Sequence, residues 1–318
     1  MTGSGVKADI AEQPSAVANA LADNIDQLGR ARELLGSASL IRVLGIGSSR
    51  HAGGYAATCF ESLAGWAAAV SDAPGMGVPR PPWRRTDAVV ALSQSGRTPA
   101  LVEAVTEARE RGAGVVAIVN GEPSPLSELA DVTLSCQAGE ERVIAATKTV
   151  TTQMALARAL AAPLDSTEAG RLVSCLGAAV ATGVAPICTP PLPGAVVAGG
   201  FAGGWLADEV AVKFAEIAGH STGAEPLVEY LHGPVAAEVP VLALVDADDP
   251  NLAGLPAERL IRAGTDPGAD VVVPTTGDPT LDVLTRLVVA QRLVVAWAEN
   301  SGEDPDSPRG LKKVTATR

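Results

Sequence analysis

Between residues 15 and 35 apolar side chains recur at Val17, Ala20, Leu21, Ile25, Leu28 and Leu35, the spacing of one helix face. Beyond that segment the pattern changes. Short apolar runs now alternate with stretches of helical period. Ser39–Leu44, Ala88–Leu92, Val115–Asn120 and Val132–Ser135 read as buried strands. His51–Leu63, Pro99–Arg111 and Lys148–Ala162 read as helices, the last stopping before Pro163, and Ser124–Ala130 as a helical turn. Strands that alternate with helices imply a parallel sheet covered on both faces.

The pattern begins again after the linker TPPLPG at 189–194. Gly194–Ala198, Val239–Val245 and Val271–Pro274 read as strands. Gly203–Ala218, Glu258–Ala263 and Thr280–Ala298 read as helices. The segment 301–318 has no periodic apolar face, and composition alone makes it a disordered end. The expectation is an α/β protein with two similar halves and an irregular tail. An internal duplication fits, although no strong sequence repeat shows.

Composition narrows the function. A chain of 318 residues suggests about two domains of ordinary size. Its residues are 47% apolar but only 3% aromatic, so Ala, Val, Leu and Gly carry the packing. A net charge of −12 disfavours a nucleic-acid partner, which needs a clustered basic face. The basic loop from Arg80 to Arg84 and Arg85 reads as solvated. Cys59, Cys136, Cys175 and Cys188 are far apart and form no C-x-x-C pair, as expected of reduced thiols in a cytoplasmic protein. With 3 histidines a His-rich metal site is not expected, and neither is a cofactor. The opening MTGSGVKADIAEQ lacks the basic and apolar regions of a signal peptide. No charge occurs from Leu176 to Ala207, a length that could span a membrane. Pro186, Pro190, Pro191 and Pro193 interrupt it, so a helix end, a linker and a buried strand are expected, and no membrane partner.

Two loops end strands and open helices in the first half. One is Gly45-Ile46-Gly47-Ser48-Ser49-Arg50-His51, the other Ser93-Gln94-Ser95-Gly96-Arg97-Thr98. Hydroxyls and backbone N–H groups at a helix N-terminus favour an anion, phosphate above all. Neither loop is a Walker P-loop, because no G-K-[ST] occurs, and Arg50 stands where a dinucleotide fingerprint needs glycine. Serines and threonines also merely cap helices, and one such loop alone would leave that reading open. Two loops of the same chemistry favour an anion site. A phosphate held by hydroxyls, without lysine or magnesium, suits a sugar phosphate better than a nucleotide.

S-Q-S-G-x-T after a strand, with G-x-S-x-H-A-G before it, resembles the SIS (sugar isomerase) domain family. Ile10-Ala-Glu12-Gln13-Pro14 is similar to the opening motif of the isomerase part of glucosamine-6-phosphate synthase. ERVIAATKTVTTQ at 141–153 resembles its third ligand loop and following helix, and Glu209–Ile217 its catalytic helix. Glu229-Tyr-Leu-His232-Gly-Pro234 and Pro308-Arg-Gly-Leu-Lys312-Lys313 complete the set. The resemblance implies two SIS domains, each a mostly parallel sheet flanked by helices in a flavodoxin-like three-layer sandwich. An N-terminal helical segment at 1–35 would precede them, the domains would occupy 36–168 and 189–300, and the tail 301–318 would lie over the active site. It implies that Ser48, Ser49, Ser93, Gln94, Ser95 and Thr98 bind phosphate and sugar. Ile46 replaces a usual cysteine and Ala146 a usual serine, which leaves backbone groups around Ala145 and the side chain of Thr147 for the sugar.

Lys213 and Glu216 share a helix face by their spacing. Such a pair is commonly a surface ion pair of little worth. Here Val210, Ala211, Val212, Phe214, Ala215 and Ile217 surround it, so it is expected to face a site. The resemblance implies that Glu216 is the base moving a proton between sugar C1 and C2, with Lys213 positioning or polarising it. It gives His232 to ring opening, reached from a neighbouring subunit of at least a dimer. His51 and His220 read as structural. It brings Lys313, or Lys312 if the register slips, to the open-chain sugar.

Only a short leader precedes the first helix, so no glutaminase is expected in this polypeptide. The same proton transfer then runs the other way. Glucosamine 6-phosphate would become the 2-ketose imine, and water would leave fructose 6-phosphate and ammonia. SIS-type glucosamine-6-phosphate deaminases resemble this chain in all these respects. A fructosamine-6-phosphate deglycase is the first alternative, although the PRGLKK stretch favours the deaminase. A sugar-phosphate sensor is the second, against which stand Glu216, His232 and Lys313. Glucosamine and galactosamine, differing at one hydroxyl, are not separated by the sequence.

Overall fold

A computed structural model describes residues 3–72, 82–184, 188, 191–255 and 260–307. The chain folds into two compact units that are not contiguous in sequence. Among the described residues, one holds 15–140 and 148–169; the other holds 3–14, Glu141–Thr147 and the chain from Gly170 to Ser307.

In the first unit the expected N-terminal helix is two, α2 (Gln13–Asp23) and α3 (Ile25–Gly36), which follow the short α1 (Ser4–Ala11) of the other unit. Five parallel strands follow: β1 (Leu40–Leu44), β2 (Ala68–Val70), β3 (Asp87–Ser93), β4 (Gly114–Val119) and β5 (Val132–Ser135). Their order is β2-β1-β3-β4-β5, so strand order reverses between β1 and β3. Every residue of β3 is buried, as a central parallel strand requires. Between the strands run α4 (Ser48–Cys59), α5 (Pro99–Glu110) and α6 (Pro125–Leu129). After β5, α7 (Lys148–Ala161) is buried along its whole length. Of the basic loop, Arg84 and Arg85 are exposed, while Trp83 is buried with the Arg42 guanidinium 4.5 Å from its ring centre.

The second unit carries α8 (Ser166–Ala181), which starts in the first, and a second sheet. Its strands are β6 (Ala195–Ala198), β7 (Gly223–Pro226), β8 (Val241–Leu244), β9 (Leu260–Gly264) and β10 (Val271–Val272). All pair in parallel in the order β10-β9-β8-β6-β7, the order of the first sheet read from its other end. The helices are α9 (Gly203–Ala218), α10 (Leu227–Leu231) and α11 (Pro279–Asn300). Phe214 of α9 meets Trp297 of α11 at 5.6 Å between ring centres.

One expected helix is corrected. Residues 260–263, read as the end of a helix from Glu258, form strand β9. The apolar run there is too short for period alone to separate helix from strand, and β8 offers a ladder, with Val241 opposite Leu260. The charge-free stretch from Leu176 divides into the end of α8, β6 and the start of α9. Among the described residues no helix is long and apolar enough to cross a membrane.

Candidate active site

Both serine-rich loops lie at the carboxyl ends of β1 and β3, where the strand order of the first sheet reverses, the usual ligand crevice of an open parallel sheet. Close approach of backbone to backbone shapes the first loop. A Cβ on Gly45 would stand 2.3 Å from the Ser49 carbonyl oxygen, so α4 can start here only with glycine. Ser48 is half-buried at the first position of α4. Ser49 is buried, and its hydroxyl donates to Gln153 of α7 at 3.2 Å.

The second loop is tightly tied. Gly96 has φ +63°, and a Cβ there would sit 2.2 Å from the Ser124 hydroxyl. Its N–H donates to the Ser93 hydroxyl at 3.1 Å, which lies 3.4 Å from that of Thr98. The Ser95 hydroxyl accepts from the Arg97 N–H at 3.2 Å. The Gln94 carbonyl accepts from the N–H groups of Asn120 and Gly121 at 3.2 and 3.0 Å. Thr98 is the N-cap of the twelve-residue α5 without a side-chain cap bond, and Pro99 follows it. The structure thus brings Ser93, Gln94, Ser95 and Thr98 into one preformed turn at a helix N-terminus, where an anion is favoured.

The second unit holds the ionisable residues. Lys213 is fully buried on α9, rare for lysine unless it is paired. Its ammonium donates to Glu216 and lies 3.5 Å from Glu209, one turn earlier. Glu209 is 2% exposed, whereas the Glu216 side chain is 25% exposed and so open to a ligand. Burial disfavours the Lys213 charge, but Glu209, Glu216 and Glu141 outweigh it and hold the ammonium above its ordinary pKa.

Glu141 opens the segment 141–147 of this unit. Its two carboxylate oxygens accept from Thr147, one from the N–H at 3.1 Å and one from the hydroxyl at 3.4 Å. Next to it, Arg142 ties the segment to α1, its N–H and guanidinium donating to Asp9 at 2.7 and 2.5 Å. Its guanidinium also donates to Glu12 at 3.0 Å. Ala145 and Thr147 are both fully buried. Thr147 directs both of its donors at Glu141, which leaves backbone groups of the loop for a ligand.

His232 follows α10 as its C-cap and is exposed. His220 is held at 2.9 Å from the Pro193 carbonyl oxygen, consistent with a structural role. Lys313 and Lys312, with the rest of PRGLKK, lie outside the described residues. The last described part of the chain is anchored, since Asp306 accepts from the N–H groups of Gly5 and Val6 at 2.9 and 2.8 Å. Glu141 and Glu209 are the site residues that motif reading did not single out. Glu209 was within reach, because it stands one helical turn before Lys213.

Two parallel sheets, hydroxyl-rich turns at the carboxyl ends of β1 and β3, and a buried lysine beside carboxylates on α9 define the α/β class of this protein. The chain belongs to the SIS domain family, whose pattern matches residues 34–163. Over 96% of its length it is 33% identical to glutamine–fructose-6-phosphate aminotransferase (isomerizing) of Aeropyrum pernix, of which the alignment covers 56%. The chain thus spans about half the length of that curated relative. In structure it is similar to tagatose-6-phosphate ketose/aldose isomerase from Escherichia coli, with a TM-score of 0.80, 18% identity and coverage of 99% of each chain. It is likewise similar to glucosamine-6-phosphate deaminase from Thermotoga maritima, with a TM-score of 0.72, 21% identity and coverage of 94% of this chain and 98% of that one. These structural likenesses establish the fold and do not choose between reactions.

Proposed function

We propose that this chain is a sugar-phosphate isomerase acting on amino sugars, and that its reaction is deamination of glucosamine 6-phosphate. The observation that carries this reading is the cluster on α9, where one buried ammonium donates to Glu216 and lies 3.5 Å from Glu209. Negative groups in excess suit a substrate whose C2 bears a cationic nitrogen more than one that bears a hydroxyl. The tagatose-6-phosphate isomerase and glucosamine-6-phosphate deaminase of the same fold make both reactions reasonable on this scaffold.

In this mechanism the turn of Ser93, Gln94, Ser95 and Thr98, with Ser48 and Ser49, holds the phosphate. His232, reaching the site from a neighbouring subunit, passes a proton between the ring oxygen and O1 and opens the sugar. Glu216 takes the proton from C2 and returns it to C1, leaving the imine at C2. Lys213 holds the Glu216 carboxylate in place, and Lys313 contacts the open chain. Water adds at C2 and ammonia leaves, giving fructose 6-phosphate. No metal or cofactor takes part in this scheme.

The test is release of ammonia and fructose 6-phosphate from glucosamine 6-phosphate, with Glu216→Gln as control. Equal release of both products that is lost in the variant supports the deaminase. If the wild-type protein binds the sugar phosphate but releases neither, the reading fails. Fructosamine 6-phosphate adducts are then the next substrates to assay, and binding without turnover of any of them points to a sensor.

A further inference from the structure

Arg292 is a half-buried cation on α11 whose donors are not all used. One of its guanidinium N–H groups donates to the Val180 carbonyl, near the end of α8. Its Nε is buried and has no hydrogen-bond partner among the described residues. Burial pulls the guanidinium below its ordinary pKa, and no described carboxylate lifts it back. A cation taken out of water is ordinarily paired. The negative end of the α8 dipole supplies part of that balance, and the rest is open.

The same arginine lines a cavity. Arg292, Val295, Ala296 and Glu299 follow one face of α11 at i, i+3, i+4 and i+7, and Ile10 of α1 and Val184 after α8 stand opposite this face in the wall. The volume is about 350 Å³, at the small end of the range of roughly 300–1,000 Å³ for small-molecule sites. Lys7 and Glu299 also line the cavity and pair with each other at 2.5 Å, so their charges cancel and Arg292 leaves the described wall with one positive charge. The frame is held in place. Asp306 accepts from Gly5 and Val6, the Lys7–Glu299 pair ties α1 to α11, and Asn300 donates to the Cys188 carbonyl at 2.6 Å. All of these residues belong to the second unit.

From this geometry we infer a further binding site, between α1, α11 and the end of α8, for a small carboxylic acid with an apolar body. The carboxylate accepts from the Arg292 guanidinium, whose planar fork matches it. The hydrocarbon part fills the space against Ile10, Val184, Val295 and Ala296. A sugar phosphate is the wrong ligand here, because its hydroxyls would lose water and meet apolar walls. The inference does not depend on the proposed reaction.

The test is calorimetric titration of the whole chain with benzoate and with 4-methylpentanoate, a flat and a branched carboxylate. Benzamide and inorganic phosphate are the controls. At least one carboxylate should bind saturably, one molecule per chain, with benzamide weaker by about tenfold or more and phosphate unable to displace the carboxylate. Arg292→Gln removes the charge and should weaken carboxylate binding by about tenfold or more, the value of a hydrogen bond to a charged group. Because that variant also loses the bond to Val180, a second one keeps the arginine: Ala296→Leu fills the cavity from α11 and should abolish binding.

If neither carboxylate binds wild-type protein, or if either folded variant binds as wild type does, the inference is overturned. Equal affinity for benzamide would reduce the cavity to an apolar hole, and displacement of benzoate by phosphate would make Arg292 an unselective anion contact; either result also overturns it. Should Arg292→Gln fail to fold, Ala296→Leu decides alone, with loss of binding supporting the site and retention refuting it.

Discussion

Lys213 and Glu216 stand one helical turn apart on α9, and they are in different surroundings: the lysine is fully buried, while a quarter of the Glu216 side chain is open. The pair is therefore anchored from within. Glu209 holds the ammonium from the buried side, and Glu216 presents the free edge of its carboxylate outward.

This asymmetry predicts two effects of removing the lysine charge. Lys213→Met removes the buried cation that lies 3.5 Å from the buried carboxylate of Glu209, which costs about 3–5 kcal/mol of stability. It also releases Glu216, and deamination falls by about a hundredfold or more. The pH dependence has a fixed sign. The folded-state pKa of Lys213 is raised above its ordinary 10.5, so its stabilisation is full below that pH. It is lost as pH rises through the higher folded-state value, with a slope of about 1.4 kcal/mol per pH unit between the two. Urea midpoints measured from pH 9 to 12 should fall more steeply for wild type than for Lys213→Arg, whose guanidinium does not titrate there. Parallel curves would mean that the buried pair does not hold the proton.

The two loops of the first sheet predict a division between affinity and stability. Thr98 has no side-chain cap bond and stands at the mouth of α5, whereas the Ser49 hydroxyl is buried and donates to Gln153. Thr98→Val should raise KM for the phosphorylated sugar by about 10–100-fold, the value of a hydrogen bond to a charged group, with the melting temperature nearly unchanged. Ser49→Ala should lower stability by about 1 kcal/mol through the lost buried hydrogen bond, with a smaller effect on KM. The opposite pattern, measured by steady-state kinetics and thermal unfolding, would make the first loop, and not the second, the main holder of the phosphate.

The contrast between these loops shows how far the chain's letters reach. S-Q-S-G-x-T is legible because its turn is local: Gly96, Ser93 and Thr98 bond to one another within six residues. The use of Ser49 is not legible, because its partner Gln153 lies 104 residues away. Edge strand β7, Gly-Ala-Glu-Pro, carries no apolar signal, since only its ladder with β6 makes it a strand. Period also fails at β9, where a short apolar run fits either element until β8 pairs with it. Lys213 and Glu216 follow from helical spacing, but the closure of the loop by Thr147 donating to Glu141 is one that no periodicity encodes.

Asp246 gives the opposite pH signature to Lys213. Burial would raise its pKa, but the N–H and hydroxyl of Thr265, both at 2.8 Å, and the Arg286 guanidinium outweigh it and hold the carboxyl below its ordinary 3.8. A depressed carboxylate stabilises above the unfolded value and loses that contribution as pH falls through the folded one. Asp246→Asn should therefore be less stable than wild type at pH 7 and approach it below pH 3.8, as followed by unfolding midpoints from pH 2.5 to 7. A difference that stays constant over that range would assign the loss to packing and not to charge.

His232 is exposed as the C-cap of α10. The proposal that it serves a neighbouring subunit makes a prediction that single variants cannot. Glu216→Gln and His232→Ala should each be inactive alone. Co-expressed, they form mixed dimers in which one site combines the intact Glu216 of one chain with the intact His232 of the other, while the second site lacks both. Random pairing makes half of the dimers mixed and restores one of their two sites, so activity should return to about a quarter of wild type. If His232 acts within its own chain, every site in every combination lacks one group, and the mixture stays inactive. Recovery read as ammonia release from the co-expressed mixture therefore locates the ring-opening histidine, and its absence removes the requirement for a second subunit from the mechanism.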